Sequence, residues 1–367
     1  MNNHLLAPKK ISRRTLLKGA FAFTMLGLTG CQILSEEPVT GAGLGRLAAR
    51  KNYLYGAAVQ SRQFSNPRFA AALKREASLL VPEGELKWRA VHPHPDVFDF
   101  SGYRRIAAFA QANGMEMRGH VLVWHDANPP WLKHALTRKS AEGILKTHIQ
   151  RVARETSPLI REWDVVNEAV HPLSTRADGL RPSLWLEALG PDYVSLAFHT
   201  TQEANPDLTL VYNDYGTEYG DGNGAARRRH ILNLLQKLKH AGVPVHALGL
   251  QSHLQAHRPL GGQEFLNFLS EVRGLGLAVR VTELDLDVSH LPGRMDDRIK
   301  AAQNYVRTYL QMVQEGGAVN KLLTWGLSDR MSWLRRYVPG LRGMLPLDAQ
   351  FQRGPMWRTL RDGWAEN

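Results

Sequence analysis

The sequence predicts a single α/β barrel of eight parallel strands, a TIM barrel. Three observations carry that reading. Eight short apolar runs of strand character alternate with segments of helical periodicity, the pattern of a closed parallel sheet. Polar side chains gather where those runs end, which in such a barrel is one mouth. Two of the runs, 162–170 and 279–285, are rich in β-branched residues yet carry Glu168 and Glu283 where the chain leaves the sheet. Burying an unpaired carboxylate is expensive, so both acids call for a reason.

The candidate strands are 54–59, 79–86, 115–124, 160–166, 209–213, 247–253, 278–283 and 321–325. Helical segments fall between them. Asn66-Pro67 supplies a cap and a first residue for one. Ser101 opens another, with Ile106, Phe109 and Ala110 on one face and Gly114 as its stop. Residues 296–314 place Ile299, Ala302, Tyr305, Val306, Tyr309 and Met312 at helical spacing. Arg227, Arg228 and Arg229, near the start of a helix, read as a solvated face. No internal linker, second domain or low-complexity tract is present in this region.

The 367 residues are 43% hydrophobic and 22% charged, an ordinary globular composition. The formal net charge is +12. Part of it is Lys9, Lys10, Arg13, Arg14 and Lys18, in a leading stretch without Asp or Glu. A basic body suits an acidic polymer or anionic surface, although a plain solvated surface explains it as well.

The leading segment reads as an export address. A basic stretch precedes an apolar run from Gly19 to Gly30 that is too short for a comfortable membrane span. Ser12-Arg13-Arg14-Thr15-Leu16-Leu17-Lys18 resembles a twin-arginine signal, and Leu28-Thr29-Gly30-Cys31 resembles a bacterial lipobox. Cys31 is the chain's one cysteine, so no internal disulfide is available. The expected organisation is a signal over 1–31, a tether over 32–44 and the barrel over 45–367. The expected location is periplasmic or cell-surface, with a lipid on Cys31 holding the protein to a membrane.

The strand ends supply the candidate chemistry. They offer Glu83, Glu85, Lys87 and Trp88 after the second run, and His120, Trp124 and His125 on the third. The fourth gives Asn167 and Glu168; the fifth, Asn213, Asp214 and Tyr215; the sixth, Gln251 and His253. The seventh gives Glu283 and Asp285, and the eighth Trp325, with Asp329 and Trp333 beyond. One strand-end histidine or indole is usually structural; seven strands ending alike are not. Paired carboxylates at one mouth are the machinery of glycoside hydrolysis. Asp285 lies two residues after Glu283 and so shares its face of an extended strand. His253 and Asp285 are therefore candidates to hold Glu283 ionised. Trp325 and Trp333 offer flat faces for sugar rings, unless one of them is mainly core.

The chain from about residue 45 to 366 resembles glycoside hydrolase family 10, the endo-β-1,4-xylanase family. The matching text is Arg118-Gly119-His120 through Val123-Trp124-His125, Trp163-Asp164-Val165-Val166-Asn167-Glu168-Ala169 and Tyr212-Asn213-Asp214-Tyr215. It continues as Gly249-Leu250-Gln251-Ser252-His253-Leu254, Thr282-Glu283-Leu284-Asp285 and Thr324-Trp325-Gly326-Leu327-Ser328-Asp329. The resemblance implies a retaining mechanism, with Glu168 as acid/base on the fourth strand and Glu283 as nucleophile on the seventh. It implies that Asn167 bonds the sugar 2-hydroxyl, and that Glu83, Lys87, His120, Trp124, Asn213, Gln251, Trp325 and Trp333 contact substrate. It implies no cofactor, no metal and no nucleic acid, a polysaccharide partner such as xylan, and a monomer.

Two positions depart from the family. It usually writes Glu-Asn-x-x-Lys-Trp where this chain has Glu83-Gly84-Glu85-Leu86-Lys87-Trp88. It usually carries Gln where Ala127 stands, two residues after His125. Each missing amide is expected to remove about 1 kcal/mol or more of sugar binding before the cleavage point. The expectation is therefore a xylanase-like enzyme with an altered glycone site, acting on xylan, a decorated xylan, another β-glycan or a short glycoside. A glycan-binding lipoprotein without activity would have no need of paired buried acids. A two-lobed transport protein does not suit a single eightfold pattern.

Overall fold

The structure, a computed structural model, describes residues 41–365 except 338, 339 and 341. The export signal, Cys31 and the tether up to residue 40 lie outside the described residues. Among the described residues no helix is long and apolar enough to cross a membrane.

Among the described residues nine strands form the sheet: β1 (Leu54–Val59), β2 (Leu79–Pro82), β3 (Glu116–Trp124), β4 (Ile160–Asn167), β5 (Thr209–Asp214), β6 (Ala247–Leu250), β7 (His253–Gln255), β8 (Ala278–Asp287) and β9 (Lys321–Thr324). Neighbours pair in parallel from β1 to β6. β6 then pairs with β8, β8 with β9, and β9 with β1. Eight strands thus close into the expected barrel, and β7 is a short extra piece on the outer end of β8. The strands are near-continuous apolar runs because helices cover them outside while side chains fill the interior. Ala58, Leu79, Val81, Leu323 and Trp325 form one inner cluster, on alternate positions of β1, β2 and β9 and just beyond β9. Gly119 is required by such packing: a Cβ there would stand 2.2 Å from the Trp163 ring.

The expected helices form. Asn66 Oδ1 accepts from the Arg68 and Phe69 amides at 3.0 and 3.2 Å and caps Pro67–Glu76. Ser101–Ala112 buries Ile106 and Ala110, with Asp99 Oδ1 accepting from the Ser101 amide at 2.8 Å. Met295–Gly317 buries Ala302, Val306, Tyr309 and Met312.

Several boundaries differ from the sequence reading. The second strand stops at Pro82, so Glu83 to Lys87 form the turn beyond it. The sixth breaks into β6 and β7 at Ser252, whose φ of 64° is left-handed. The seventh runs on to Asp287. The packed body also begins before residue 45. The Arg353 guanidinium holds the Gly41 and Ala42 carbonyls at 3.0 Å each, and fully buried Leu44 starts a helix, its amide on Glu76 Oε2 at 3.0 Å.

The arginine run is not a solvated face. Arg227 is buried, pairs with Asp214 at 2.9 Å and lies 3.8 Å from the Tyr215 ring centroid. Arg228 is buried too, donating to the Thr217 and Tyr219 carbonyls at 2.9 and 2.6 Å. Only Arg229 of the three is exposed. A run of charge in sequence is not a patch in space, because successive helical residues point about 100° apart.

Candidate active site

The mouth at the strand C-termini brings together two buried networks. The first surrounds Glu283 on β8. Its Oε1 accepts from Asn213 Nδ2 at 2.7 Å, and its Oε2 lies 3.2 Å from His253 Nε2. His253 Nδ1 is 2.8 Å from Asp285 Oδ1, and Asp285 Oδ2 accepts from Trp333 Nε1 at 2.7 Å. His253 thus bridges Glu283 and Asp285, and Trp333 holds Asp285 from its far side. The break at Ser252 lets the chain present both Gln251 and His253 to the mouth, and Asp285 N returns to the Ser252 carbonyl at 3.3 Å.

Beneath Glu283 lies a column of charge. His120 Nδ1 sits 3.8 Å from Glu283 Oε1 and 2.9 Å from Asp164 Oδ2. Fully buried Arg118 grips Asp164 with both terminal nitrogens and Glu162 with Nε at 2.9 Å. Glu162 also takes Lys321 at 3.1 Å and Arg280 at 3.4 Å. Burial opposes ionisation of Glu283, but His120, His253 and Lys87 outweigh it and hold the carboxyl down at about 2. Burial likewise opposes charge on His253, and Asp285 and Glu283 outweigh it, so that ring is raised well above its ordinary value. Among the described residues the one set that could converge on a metal ion is His120, Asp164 and Glu283, with ligand atoms within 4.8 Å of one another. Its atoms already answer one another and Arg118, which fits a support for a carboxylate better than an ion site.

The second network surrounds Glu168, just past β4. Its Oε1 accepts from Asn167 Nδ2 at 3.1 Å and Gln251 Nε2 at 3.0 Å. Asn167 Oδ1 in turn accepts from Gln251 at 3.1 Å and Asn213 at 2.9 Å. Asn213 touches Glu283, so three amides link the two carboxyls across one mouth. Thr282 Oγ1 donates to Asn213 Oδ1 at 2.7 Å and fixes which way that amide points. Glu168 Oε2 faces His125 Nδ1 at 3.7 Å and Arg181 Nη2 at 4.0 Å. Burial, then Arg181, lowers His125 to about 4, so this ring is neutral near pH 7.

Comparison with known proteins agrees with this geometry. Residues 43–362 match the model of Glycosyl hydrolase family 10. The chain belongs to glycoside hydrolase family 10. Endo-1,4-beta-xylanase B of Thermotoga neapolitana is 29% identical over 350 residues, covering 94% of this chain and 97% of that protein. A beta-1,4-xylanase of Dictyoglomus thermophilum is 33% identical over 270 residues, 71% of this chain and 74% of that one. The crystal structure of xylanase 10B from Thermotoga petrophila in complex with xylobiose superposes with a TM-score of 0.80 at 29% identity, covering 90% of this chain and 99% of that one.

Within this family 10 barrel the remaining expected residues separate into mouth and frame. Lys87 Nζ lies 4.8 Å from the Trp124 ring centroid and 5.7 Å from that of Trp325, so ammonium and indoles share one wall. Trp325 packs edge-on to His120 at 5.1 Å, and Trp333 to His253 at 5.3 Å. Trp325 is both core and wall; Trp333 is only partly buried. Glu83 stands on the same turn, its carboxyl raised by burial against the pull of Gln60 and Lys87. Others of the strand-end group are frame. Trp88 is buried against His148, with ring centroids 3.5 Å apart. Glu85 accepts from the Ser61 amide at 2.6 Å. Asp214 is tied to Arg227 and to Tyr212 Oη at 2.6 Å, and Asp329 accepts the amides of Gly343, Met344 and Leu345 at 2.7 to 3.0 Å.

Arg118, Asp164, Arg181 and Thr282 are the site residues that sequence reasoning left unassigned. For Arg118 and Asp164 the signal was present: each is a charge inside an apolar strand, the same anomaly that marked Glu168 and Glu283. Arg181 carried none, because a loop arginine is ordinary.

Proposed function

We propose that this chain is an endo-β-1,4-xylanase acting by double displacement. Glu283 attacks the anomeric carbon while Glu168 gives its proton to the departing oxygen. Glu168 then takes a proton from water, which displaces Glu283 and leaves the product with its original configuration. The observation that carries the reading is the amide bridge Glu168–Gln251–Asn167–Asn213–Glu283, which ties both carboxyls to one mouth while Glu283 alone sits over the column of paired charges that begins at His120. A glycan-binding protein without activity would have no use for that asymmetry. The family's xylanases supply the substrate class. Hydrolysis of β-1,4-xylan to short oligosaccharides, abolished in Glu168→Ala and Glu283→Ala, tests it. Turnover of xylan by either variant at the wild-type rate would overturn it.

Gly84 and Ala127 bring no amide to the side where the resemblance puts the glycone. A Cβ at Gly84 would meet nothing within 4 Å, and Ala127 offers only a methyl where the family carries an amide. This space suits a xylan bearing a substituent on the non-reducing side of the cut. At the other end of the sequence, Arg13-Arg14 and Leu28-Thr29-Gly30-Cys31 support export by a twin-arginine route and lipid attachment to Cys31. The enzyme would then work from a bacterial membrane, in the periplasm or at the cell surface. Cys31→Ser should shift the protein to the soluble fraction or stop its maturation, and Lys-Lys in place of Arg13-Arg14 should stop export. Unchanged fractionation and export would refute both.

A further inference from the structure

Glu168 is held in a conformation it would not choose. Its φ is 56°, in the left-handed region that a side chain with a Cβ disfavours, and such residues persist only where their surroundings over-determine them. The Glu168 amide donates to the Asn213 carbonyl at 2.9 Å. The Glu168 carbonyl accepts from Arg181 Nε at 2.9 Å. Thirteen positions separate the two residues, and the loop between them folds back to make the contact. Val170 and Leu180 form an antiparallel bridge, His171 N meets Gly179 O at 3.0 Å, and Arg181 N donates to the Ala169 carbonyl at 2.7 Å. Arg181 therefore grips the acid's turn with its own amide and its side chain. Its outer nitrogen, Nη2, is held by Tyr215 Oη at 3.1 Å and stays 4.0 Å from Glu168 Oε2. The guanidinium braces the backbone of Glu168 without taking the oxygen that faces the mouth.

We propose that Arg181 is a positioning residue for Glu168, holding the left-handed turn that aims the carboxyl at the oxygen it must protonate. This rests on the reading of Glu168 as acid/base. Arg181 then matters only to steps in which Glu168 moves a proton. Departure of a sugar needs that proton; departure of 2,4-dinitrophenolate does not. Removal of the glycosyl group from Glu283 by water needs Glu168 as base. Removal by azide, already an anion, does not, and gives a β-glycosyl azide as the Glu283 carboxylate is released.

The test compares wild type, Arg181→Met, Arg181→Lys and Glu168→Ala on xylan and on 2,4-dinitrophenyl β-xylobioside, with and without azide. Arg181→Met should lose on the order of 10- to 100-fold in kcat on xylan, a part of what acid/base catalysis supplies. Its first-turnover burst of dinitrophenolate should stay near wild type. Azide should raise its steady rate and yield the β-azide. Arg181→Lys, which keeps a donor for the carbonyl, should fall between, and carries the same readouts if Arg181→Met does not fold. Equal losses in burst and xylan turnover without azide rescue would make Arg181 merely structural and overturn the proposal, as would unchanged xylan turnover. Glu168→Ala separates the two readings: if azide fails to rescue that variant, the acid/base assignment itself falls; if azide rescues it but neither Arg181 variant, only the positioning role falls.

Discussion

Gly249→Ala should impair catalysis from a residue that bears no functional group. An ideal Cβ at Gly249 would stand 2.2 Å from Asn213 Oδ1 and 3.0 Å from Thr282 Cγ2, whereas ordinary contact begins at 3.4 Å. Asn213 would have to retreat by roughly 1 Å, a displacement that can cost about 100-fold in rate when it disturbs a reacting group. It cannot retreat freely. Its Nδ2 serves Glu283 at 2.7 Å and Asn167 at 2.9 Å, and its Oδ1 receives Thr282 Oγ1 at 2.7 Å. Overpacking of this kind typically removes about 1–3 kcal/mol of stability. The assay is kcat/KM on xylotetraose beside the thermal midpoint. The control is Gly143→Ala, on a helix surface where a Cβ meets nothing within 4 Å. Removing a helical glycine there should leave the rate unchanged and add about 0.5–1 kcal/mol of stability. A folded Gly249→Ala enzyme with wild-type kcat/KM would refute the argument that this close approach fixes Asn213.

Restoring the two family amides with Gly84→Asn and Ala127→Gln should raise turnover of unbranched xylan and lower it on a substituted xylan, each amide being worth on the order of 1 kcal/mol where its hydroxyl partner is present; equal effects on both substrates would make the departures neutral. Stability should fall as pH drops below about 6.5, the ordinary histidine value, because of a buried pair. His92 Nδ1 and His148 Nδ1 lie 3.3 Å apart, and burial lowers both rings, His148 furthest. The unfolded chain binds protons there that the folded protein excludes, so the stability these two rings supply is complete above that pH and declines by up to about 1.4 kcal/mol per pH unit per ring below it. Thermal midpoints from pH 7.5 to 4.5 check this, and His148→Leu should flatten the curve; a wild-type midpoint independent of pH would count against it.

The barrel was legible because its strands are apolar enough to stand out and its helices carry ordinary caps, such as Asn66 before Pro67. The acids were legible because a carboxylate in a buried strand is an anomaly. What escaped depended on contacts far apart in sequence. Arg227 and Arg228 read as solvated until Asp214 and the Thr217 and Tyr219 carbonyls came into reach. The break at Ser252 carries no glycine or proline to announce it, and it decides how Gln251 and His253 share one mouth. Arg181 acts on a carbonyl 13 residues away, which no side-chain pattern encodes.

The central claim is that Glu283 carries the sugar between the two halves of the reaction. Incubation with a 2-deoxy-2-fluoro β-xylobioside bearing a good leaving group slows both steps and lets the glycosyl-enzyme accumulate. Mass analysis of the digested protein should find the added mass on the peptide holding Thr282-Glu283-Leu284-Asp285, and on Glu283 within it. A label on any other residue, or substrate turned over with inversion and no label at all, would contradict the account.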